Sequence, residues 1–168
     1  QDDWLEFAKA ARGLGIFYRN HATVEQAIGR YEEARTVLED LLEKDPRNAT
    51  YLSELAGVYR DEGLAMGSSG NQKEAREVIE QSLAILEQIA ESGGSTFNYL
   101  ADKAAALHNL GFAMNELGEQ GQALEVWLQA YECFESILSK VPNAAFVWRP
   151  QRLPELVGLI SSIYMSKG

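Results

Sequence analysis

Apolar residues recur at steps of three and four along three long stretches of the chain, which is the pattern of an amphipathic helix. These stripes run from Ala27 to Leu42, from Ala75 to Ile89 and from Ala123 to Leu138. A second helical stretch precedes each of them. In the first repeat of the pattern, the preceding stretch has a predicted apolar face made of Trp4, Leu5, Ala8, Ala11, Leu14 and Tyr18. Because only a few residues separate the two stretches of each pair, we expect antiparallel helix hairpins.

The pattern repeats every 48 residues, as the positions of Gly15, Gly63 and Gly111 show. Ala27, Ala75 and Ala123 keep the same spacing. Self-similarity at a fixed period of this size is typical of a repeat array, in which each unit covers the apolar face of its neighbour. We therefore expect a single all-α domain over 1–168, with repeats at about 1–48, 49–96 and 97–144 and a partial repeat or cap at 145–168.

Start and stop signals divide the helices. Thr23 with Gln26, and Asn71 with Glu74, have the spacing of a capping box and predict helix starts. Predicted ends fall at Pro46, at Gly93-Gly94 and at Pro142. A last apolar set predicts one C-terminal helix, and its members are Leu156, Val157, Leu159, Ile160, Ile163 and Tyr164.

Composition narrows the class of protein. The formal net charge of −10 and the pI of about 4.7 argue against nucleic-acid binding, which needs a basic surface. No apolar run approaches the roughly 18 residues of a membrane span, and no signal-peptide pattern opens the chain. The lone Cys133 is interpreted as a small buried hydrophobe, consistent with a reducing, cytoplasmic setting. The chain begins at Gln1 rather than Met, which we take to indicate an excised domain or a processed form.

Catalytic patterns are missing from the sequence. The two histidines, His21 and His108, fall in different repeats, and no metalloprotease, Cys-x-x-Cys or phosphate-loop motif occurs. The abundant carboxylates are spaced as solvated helix faces. We therefore expect no enzyme activity, no cofactor and no metal.

The repeat resembles the tetratricopeptide repeat. The first helix of that motif carries a Leu-Gly pair and aromatic positions, and its second helix carries two alanines on either side of a large residue. The first repeat has Leu14-Gly15 and Tyr18, then Ala27, Tyr31 and Ala34; the third has Leu110-Gly111, then Ala123, Trp127 and Ala130. The second is the poorest match, with Glu62 and Ser82 at two of these positions. The resemblance implies a right-handed superhelix of three long hairpins plus a C-terminal helix.

The repeat is longer than the family's usual 34 residues, and the extra length is regular. Seven added residues turn an ideal helix by about 700°, so each helix can lengthen with its apolar stripe on nearly the same face. This resembles the long tetratricopeptide variety found beside kinase and other signalling domains in bacterial multidomain proteins.

The resemblance also implies a binding groove lined by the first helices. Its predicted residues form a basic row beside an apolar row: Lys9, Arg12, Ile16, Arg19, Arg60, Leu64, His108, Phe112 and Asn115. Such a groove suits a peptide or partner segment with acidic and apolar anchors. The alternative interpretation is that Arg12 and Arg60, which we expect at the surface, pair with nearby carboxylates and cover apolar area.

The predicted function is a non-catalytic protein-interaction scaffold that binds neither nucleic acid nor membrane. The alternative is a structural array that forms a homodimer through its apolar C-terminal helix. Phe146, Val147 and Trp148 would add to that apolar surface.

Overall fold

The computed structural model describes residues 2–93, 97–140, 156–161 and 165, and their regular secondary structure is helical throughout. The all-α, tetratricopeptide-like fold class is confirmed. Six of the described helices are 20 or 21 residues long. Their bounds are α1 Asp2–His21, α2 Val24–Lys44, α3 Ala49–Ser68, α4 Gln72–Glu91, α5 Phe97–Glu116 and α6 Gln120–Lys140.

The chain divides into two compact units, Gln1–Gly94 and Ser95–Gly168. In the first unit α1 packs on α2, α3 packs on α4, and α2 packs on α3; in the second unit α5 packs on α6. The three helix hairpins are thus confirmed, and the unit boundary falls where the sequence places a repeat boundary. The single domain over 1–168 and the handedness of the superhelix stay predictions.

A glycine on each first helix lets a large side chain of the second helix reach the backbone. A Cβ added at Gly15 would lie 2.5 Å from Tyr31 Cε1, and one added at Gly63 would lie 2.5 Å from Ile79 Cγ1. At Gly111 it would overlap the Trp127 indole. The 48-residue recurrence of glycine therefore has a packing cause, because no larger residue fits at these crossings.

The second helices bury the faces that the sequence predicts. Tyr31, Ile79 and Trp127 are at most 1% exposed, and so are the alanines that flank them in the repeat. Ser82, which stands where the other repeats have Ala34 and Ala130, is also fully buried. Its hydroxyl donates a 2.7 Å hydrogen bond to the carbonyl of Ala56, so the polar group is satisfied.

The capping predictions are partly right. Thr23 accepts a hydrogen bond from the Gln26 amide at 3.3 Å, as its spacing predicts. α4 begins directly after Asn71, as the spacing predicts, but the Asn71 side chain makes no cap bond. Asn48, which the sequence analysis did not select, caps α3 by accepting from the amides of Thr50 and Tyr51.

The predicted helix ends and the predicted last helix can be compared with the structure only where residues are described. α2 ends just before Pro46 and α4 just before Gly93, as expected. Pro142 and Phe146–Trp148 lie outside the described residues, as do Ile163 and Tyr164 of the predicted last helix. Residues 156–161 of that helix are helical, with Leu156 buried. Cys133 is half-buried rather than buried.

The predicted apolar face of α1 is only partly a core face. Ala8 and Ala11 are buried as expected. Trp4 and Leu14 are 59% and 46% exposed, so their assignment to the core is wrong. α1 has apolar residues on two sides, and α2 covers only one of them.

Candidate functional site

Arg12 lies where α1 meets α3. Its Nε donates to Asp61 Oδ2 at 2.8 Å and its Nη1 to Glu54 Oε2 at 3.0 Å. The guanidinium rests on Gly57, where an added Cβ would lie 2.5 Å from Arg12 Cζ. Glu54, Gly57 and Asp61 follow one another at helical spacing on α3 and form a cradle for this side chain.

Arg12 and Arg60 are brought together on one carboxylate. The Arg60 guanidinium donates to Asp61 Oδ1 at 3.2 Å, while Arg12 holds the other oxygen. Their side chains are 20% and 14% exposed, so the two arginines are less accessible than the sequence suggested. Arg12 therefore forms the ion pairs with carboxylates that the alternative interpretation predicts. Its role in binding a ligand stays a prediction.

Arg19 and Tyr31 present two buried donors beside this cluster. In the described part of the chain, neither Arg19 Nη1 nor the Tyr31 hydroxyl has a hydrogen-bond partner. Burial raises the pKa of Tyr31 to about 12, although the charges of Arg19 and Arg12 act to lower it. The phenol therefore stays protonated and can donate to an acceptor at neutral pH.

The remaining predicted residues of the first unit are half-buried on the first helices. Lys9 is 37% exposed and donates to Glu6 at 2.8 Å, which raises the pKa of the lysine. Ile16 and Leu64 are each partly exposed. Together they give a surface with apolar positions next to basic ones.

The three predicted residues of the second unit all lie on α5. Phe112 is 45% exposed, whereas His108 and Asn115 are half-buried. The carbonyl of His108 accepts a 3.1 Å hydrogen bond from Trp127 Nε1, which ties α5 to α6 beside Gly111. The backbone at this level of α5 is thus held in place by its partner helix.

A buried carboxylate between α2 and α3 escaped the sequence analysis. Glu62 is 2% exposed, and Arg35 Nη1 of α2 donates to it at 3.5 Å. Burial raises the pKa of Glu62, and Arg35 opposes that shift. Arg35 also lies over the Tyr59 ring, at 5.7 Å from its centroid. The sequence signal that could have revealed this buried carboxylate is that Glu62 occupies the repeat position held by Leu14 and Leu110 in the other two repeats.

Paired long helices with a glycine at each crossing define a helical-hairpin repeat protein. A sequence model of the tetratricopeptide repeat family matches residues 8–48, which cover most of the first hairpin. This match supports a tetratricopeptide-type repeat protein, a class that generally mediates protein-protein interaction and is typically non-enzymatic. A search of curated proteins gave no match.

Two further properties concern the described residues alone. None of their helices has both the length and the apolar character needed to cross a bilayer. In the same residues, no three His, Cys, Asp or Glu side chains come together in a group that could hold a metal ion.

Proposed function

We propose that the protein is a non-catalytic interaction scaffold whose first helices bind a partner segment in a concave groove. The segment would be extended or helical, with at least one carboxylate and with apolar anchors. Support comes from the tetratricopeptide match over the first hairpin and from the half-exposed apolar and basic positions on α1 and α3.

The observation that carries the carboxylate part is Arg19, a partly exposed side chain of α1 whose Nη1 has no acceptor among the described residues; the Tyr31 hydroxyl lies behind it in the core. A buried donor without an acceptor costs about 1–3 kcal/mol, which a ligand carboxylate would recover on binding. Arg12 and Arg60 are less suited to this role, because Asp61 and Glu54 already accept their hydrogen bonds.

The apolar part of the proposal rests on Ile16 and Leu64, which are one residue beyond Gly15 and Gly63. The 48-residue register continues the row to Phe112, with His108 and Asn115 as its polar neighbours on α5. Lys9 would add long-range attraction for an acidic segment at the start of α1.

The test begins with selection of peptides on the immobilised 168-residue chain, followed by calorimetric titration of the selected sequences. We expect acidic, apolar peptides whose affinity falls as salt rises. Arg19→Gln removes the charge and the unpaired Nη1 donor, so it should weaken binding several-fold while leaving the melting temperature near that of the wild type. Tyr31→Phe removes an unsatisfied donor enclosed in the core, so it should raise the melting temperature and change binding little.

Glu43→Lys with Glu125→Lys is the matched control, because both glutamates are exposed on second helices. This double variant should bind the selected peptides at least as tightly as the wild type does, because it only makes the chain less acidic. Binding that ignores Arg19→Gln but is lost in the control would contradict the groove assignment. Ile16→Ser with Leu64→Ser would then test the apolar row separately.

The context we propose is a cytoplasmic scaffold arm of a bacterial signalling protein, with repeats of the long 48-residue variety. The observed helices of 20 or 21 residues support the long variety. Sequencing the encoding gene in full would show whether a kinase or sensor domain is joined to this segment, and its absence there would count against this context.

The alternative function is a homo-oligomerising array that uses its C-terminal helix. Val157 is 43% exposed, and it borders an open cleft of about 250 Å³ with Leu128, Tyr131, Ile160 and Ser161. Val157→Asp should dissociate such an oligomer in light scattering. An unchanged mass would remove the C-terminal helix from the contact.

A further inference from the structure

An apolar stripe with heptad spacing lies exposed along α1. Phe7, Leu14 and Phe17 are 46%, 46% and 55% exposed, and Ala10 between them is also exposed. Spacings of three and four residues place these side chains on one face of the helix. Asp3 and His21 extend the same spacing to its two ends and are exposed as well.

The next repeat shows what normally covers this face. The residues 48 positions later on α3 are buried, and they are Tyr51, Leu55, Val58, Glu62 and Ala65. α2 packs on α3, and Arg35 of α2 reaches Glu62 at this face. Because a short loop joins α2 to α3, the covering helix runs antiparallel. The stripe on α1 therefore has the form of a surface made for an antiparallel helix.

We propose that the occupant is α1 of a second copy of this chain, in an antiparallel pair related by a two-fold axis at Arg12. The six positions are symmetric about residue 12. Phe7 then faces Phe17 of the second copy, Ala10 faces Leu14, and Asp3 faces His21. Each such pair occurs twice, as a closed two-fold interface requires.

The chemistry of these pairs is complementary. A small residue faces a large one at Ala10 and Leu14, which lets the two helix backbones approach. Two phenyl rings meet on each side of the axis, and aromatic pairs stabilise a contact beyond the area they bury. The acidic start of one helix meets the end of the other, where α1 carries Arg19 and His21. Antiparallel helices also oppose their macrodipoles favourably.

The area suits a modest dimer. Each copy contributes the rings of Trp4, Phe7 and Phe17, all about half exposed, and Trp4 packs edge-on against Phe7 at 6.2 Å. Specific interfaces bury about 1,200–2,000 Å² in total, and a contact made by three rings and Leu14 of one helix from each copy is small on that scale. We therefore expect dissociation in the micromolar concentration range.

Sedimentation equilibrium over a concentration series tests the dimer with the full 168-residue chain. The wild type should shift from monomer to dimer, and Phe17→Asp or Phe7→Asp should remain monomeric throughout. Phe112→Asp is the matched control, since Phe112 is equally exposed at 45% but lies on α5. Circular dichroism should show the same helix content in all four proteins, because each substitution is at an exposed position.

Disulfide trapping tests the direction of the pair. Asp3→Cys and His21→Cys are made separately in a Cys133→Ser background, which leaves the apolar stripe intact. In the antiparallel pair the two variants should cross-link when mixed. Each alone should not, because the two like cysteines would be 18 residues, or about 27 Å, apart along the helix.

Three results would overturn the proposal. The first is a wild-type chain that stays monomeric at every concentration. The second is a dimer that survives Phe17→Asp, especially if Val157→Asp dissociates it, since the contact would then be at the C-terminal helix. The third is a single-cysteine variant that cross-links as well as the mixture, which would indicate parallel helices.

Discussion

At the scale of single residues, the pairing of a glycine with a large side chain organises each hairpin. Gly15 and Tyr31, Gly63 and Ile79, and Gly111 and Trp127 form three copies of one contact. The sequence predicted that both positions recur with the repeat, but not which side chain meets each glycine. Their hydrogen-bond details were not predictable: Ser82 and Trp127 each donate to a backbone carbonyl of the facing helix.

Gly15→Ala should destabilise the protein by about 1–3 kcal/mol, because the new methyl group has no space beside Tyr31. Gly13→Ala is the matched control on the same helix, where nothing lies within 4 Å of the added Cβ. It should be stabilising by about 0.5–1 kcal/mol, since alanine is the better helix former. Urea unfolding of both variants measures the two values. Equal effects would mean that the crossing at Gly15 is not close.

Glu62 should give the stability of the protein a specific pH dependence. Burial raises the pKa of Glu62 in the folded state above its unfolded value of about 4.3, so its protonation favours folding. The stabilisation is complete below the unfolded pKa and is lost as pH rises through the folded pKa. Relative to Glu62→Gln, the wild type should therefore lose stability over that window.

Urea unfolding at a series of pH values measures the difference in stability between the wild type and Glu62→Gln. Titrating groups common to both proteins contribute equally and cancel in that difference. A flat difference between Glu62→Gln and the wild type would show that Arg35 compensates fully for the burial of Glu62.

At the scale of helices, the sequence predicts which helices form and which of them pair better than it predicts which side chains are exposed. The stripes of α2, α4 and α6 match their buried faces because each of these helices has one apolar side. α1 has apolar side chains on a second side besides that of Ala8 and Ala11. Hydrophobic periodicity alone does not show which of the two sides packs against the core. Trp4 and Leu14 were misassigned for this reason.

Helix caps are a second point at which local spacing was insufficient. Asn71 has capping-box spacing to Glu74, but it makes no side-chain cap bond in the structure. Asn48 follows a turn that begins at Asp45 and accepts from two amides of α3. The difference depends on the loop conformation before each helix, which a pairwise spacing rule does not contain.

Asn48→Ala should therefore lower the free energy of unfolding by about 1 kcal/mol, the usual cost of a lost N-cap. Asn71→Ala is the matched control at the start of the neighbouring helix, and its cost should be a few tenths of that. Thermal unfolding followed by circular dichroism compares them. A larger loss for Asn71 than for Asn48 would contradict the cap assignment.

At the scale of the whole molecule, the sequence predicted the repeat architecture and a set of site positions, but not their electrostatic partners. Arg12 and Arg60 recur in the register, and so their common level was foreseeable. Their shared carboxylate, Asp61, was not, because Gly13 and Asn109 occupy the equivalent positions and no pattern repeats there. Among the described residues, the carboxylate shared by Arg12 and Arg60 belongs to one repeat, whereas a glycine crossing occurs in all three.

The difference between exposed and partly buried charges predicts how salt affects the stability of the whole chain. The net charge of −10 places many exposed carboxylates near one another, for example Glu39 and Glu43 one turn apart on α2. Such exposed repulsions are screened by salt, whereas the partly buried pairs of Arg12 with Asp61 and Glu54 are screened less. Raising sodium chloride from low to physiological concentration should therefore raise the melting temperature.

Glu43→Lys with Glu125→Lys changes the net charge from −10 by +4 to −6 and should reduce that salt dependence. At low salt the double variant should also be more stable, since Glu43 lies one turn from Glu39 and such a like-charge pair costs about 0.2–0.5 kcal/mol. Scanning calorimetry at several salt concentrations compares the two proteins. A melting temperature that falls with salt in the wild type would mean that attractive pairs outweigh the repulsion, and that the acidic surface is organised by its arginines.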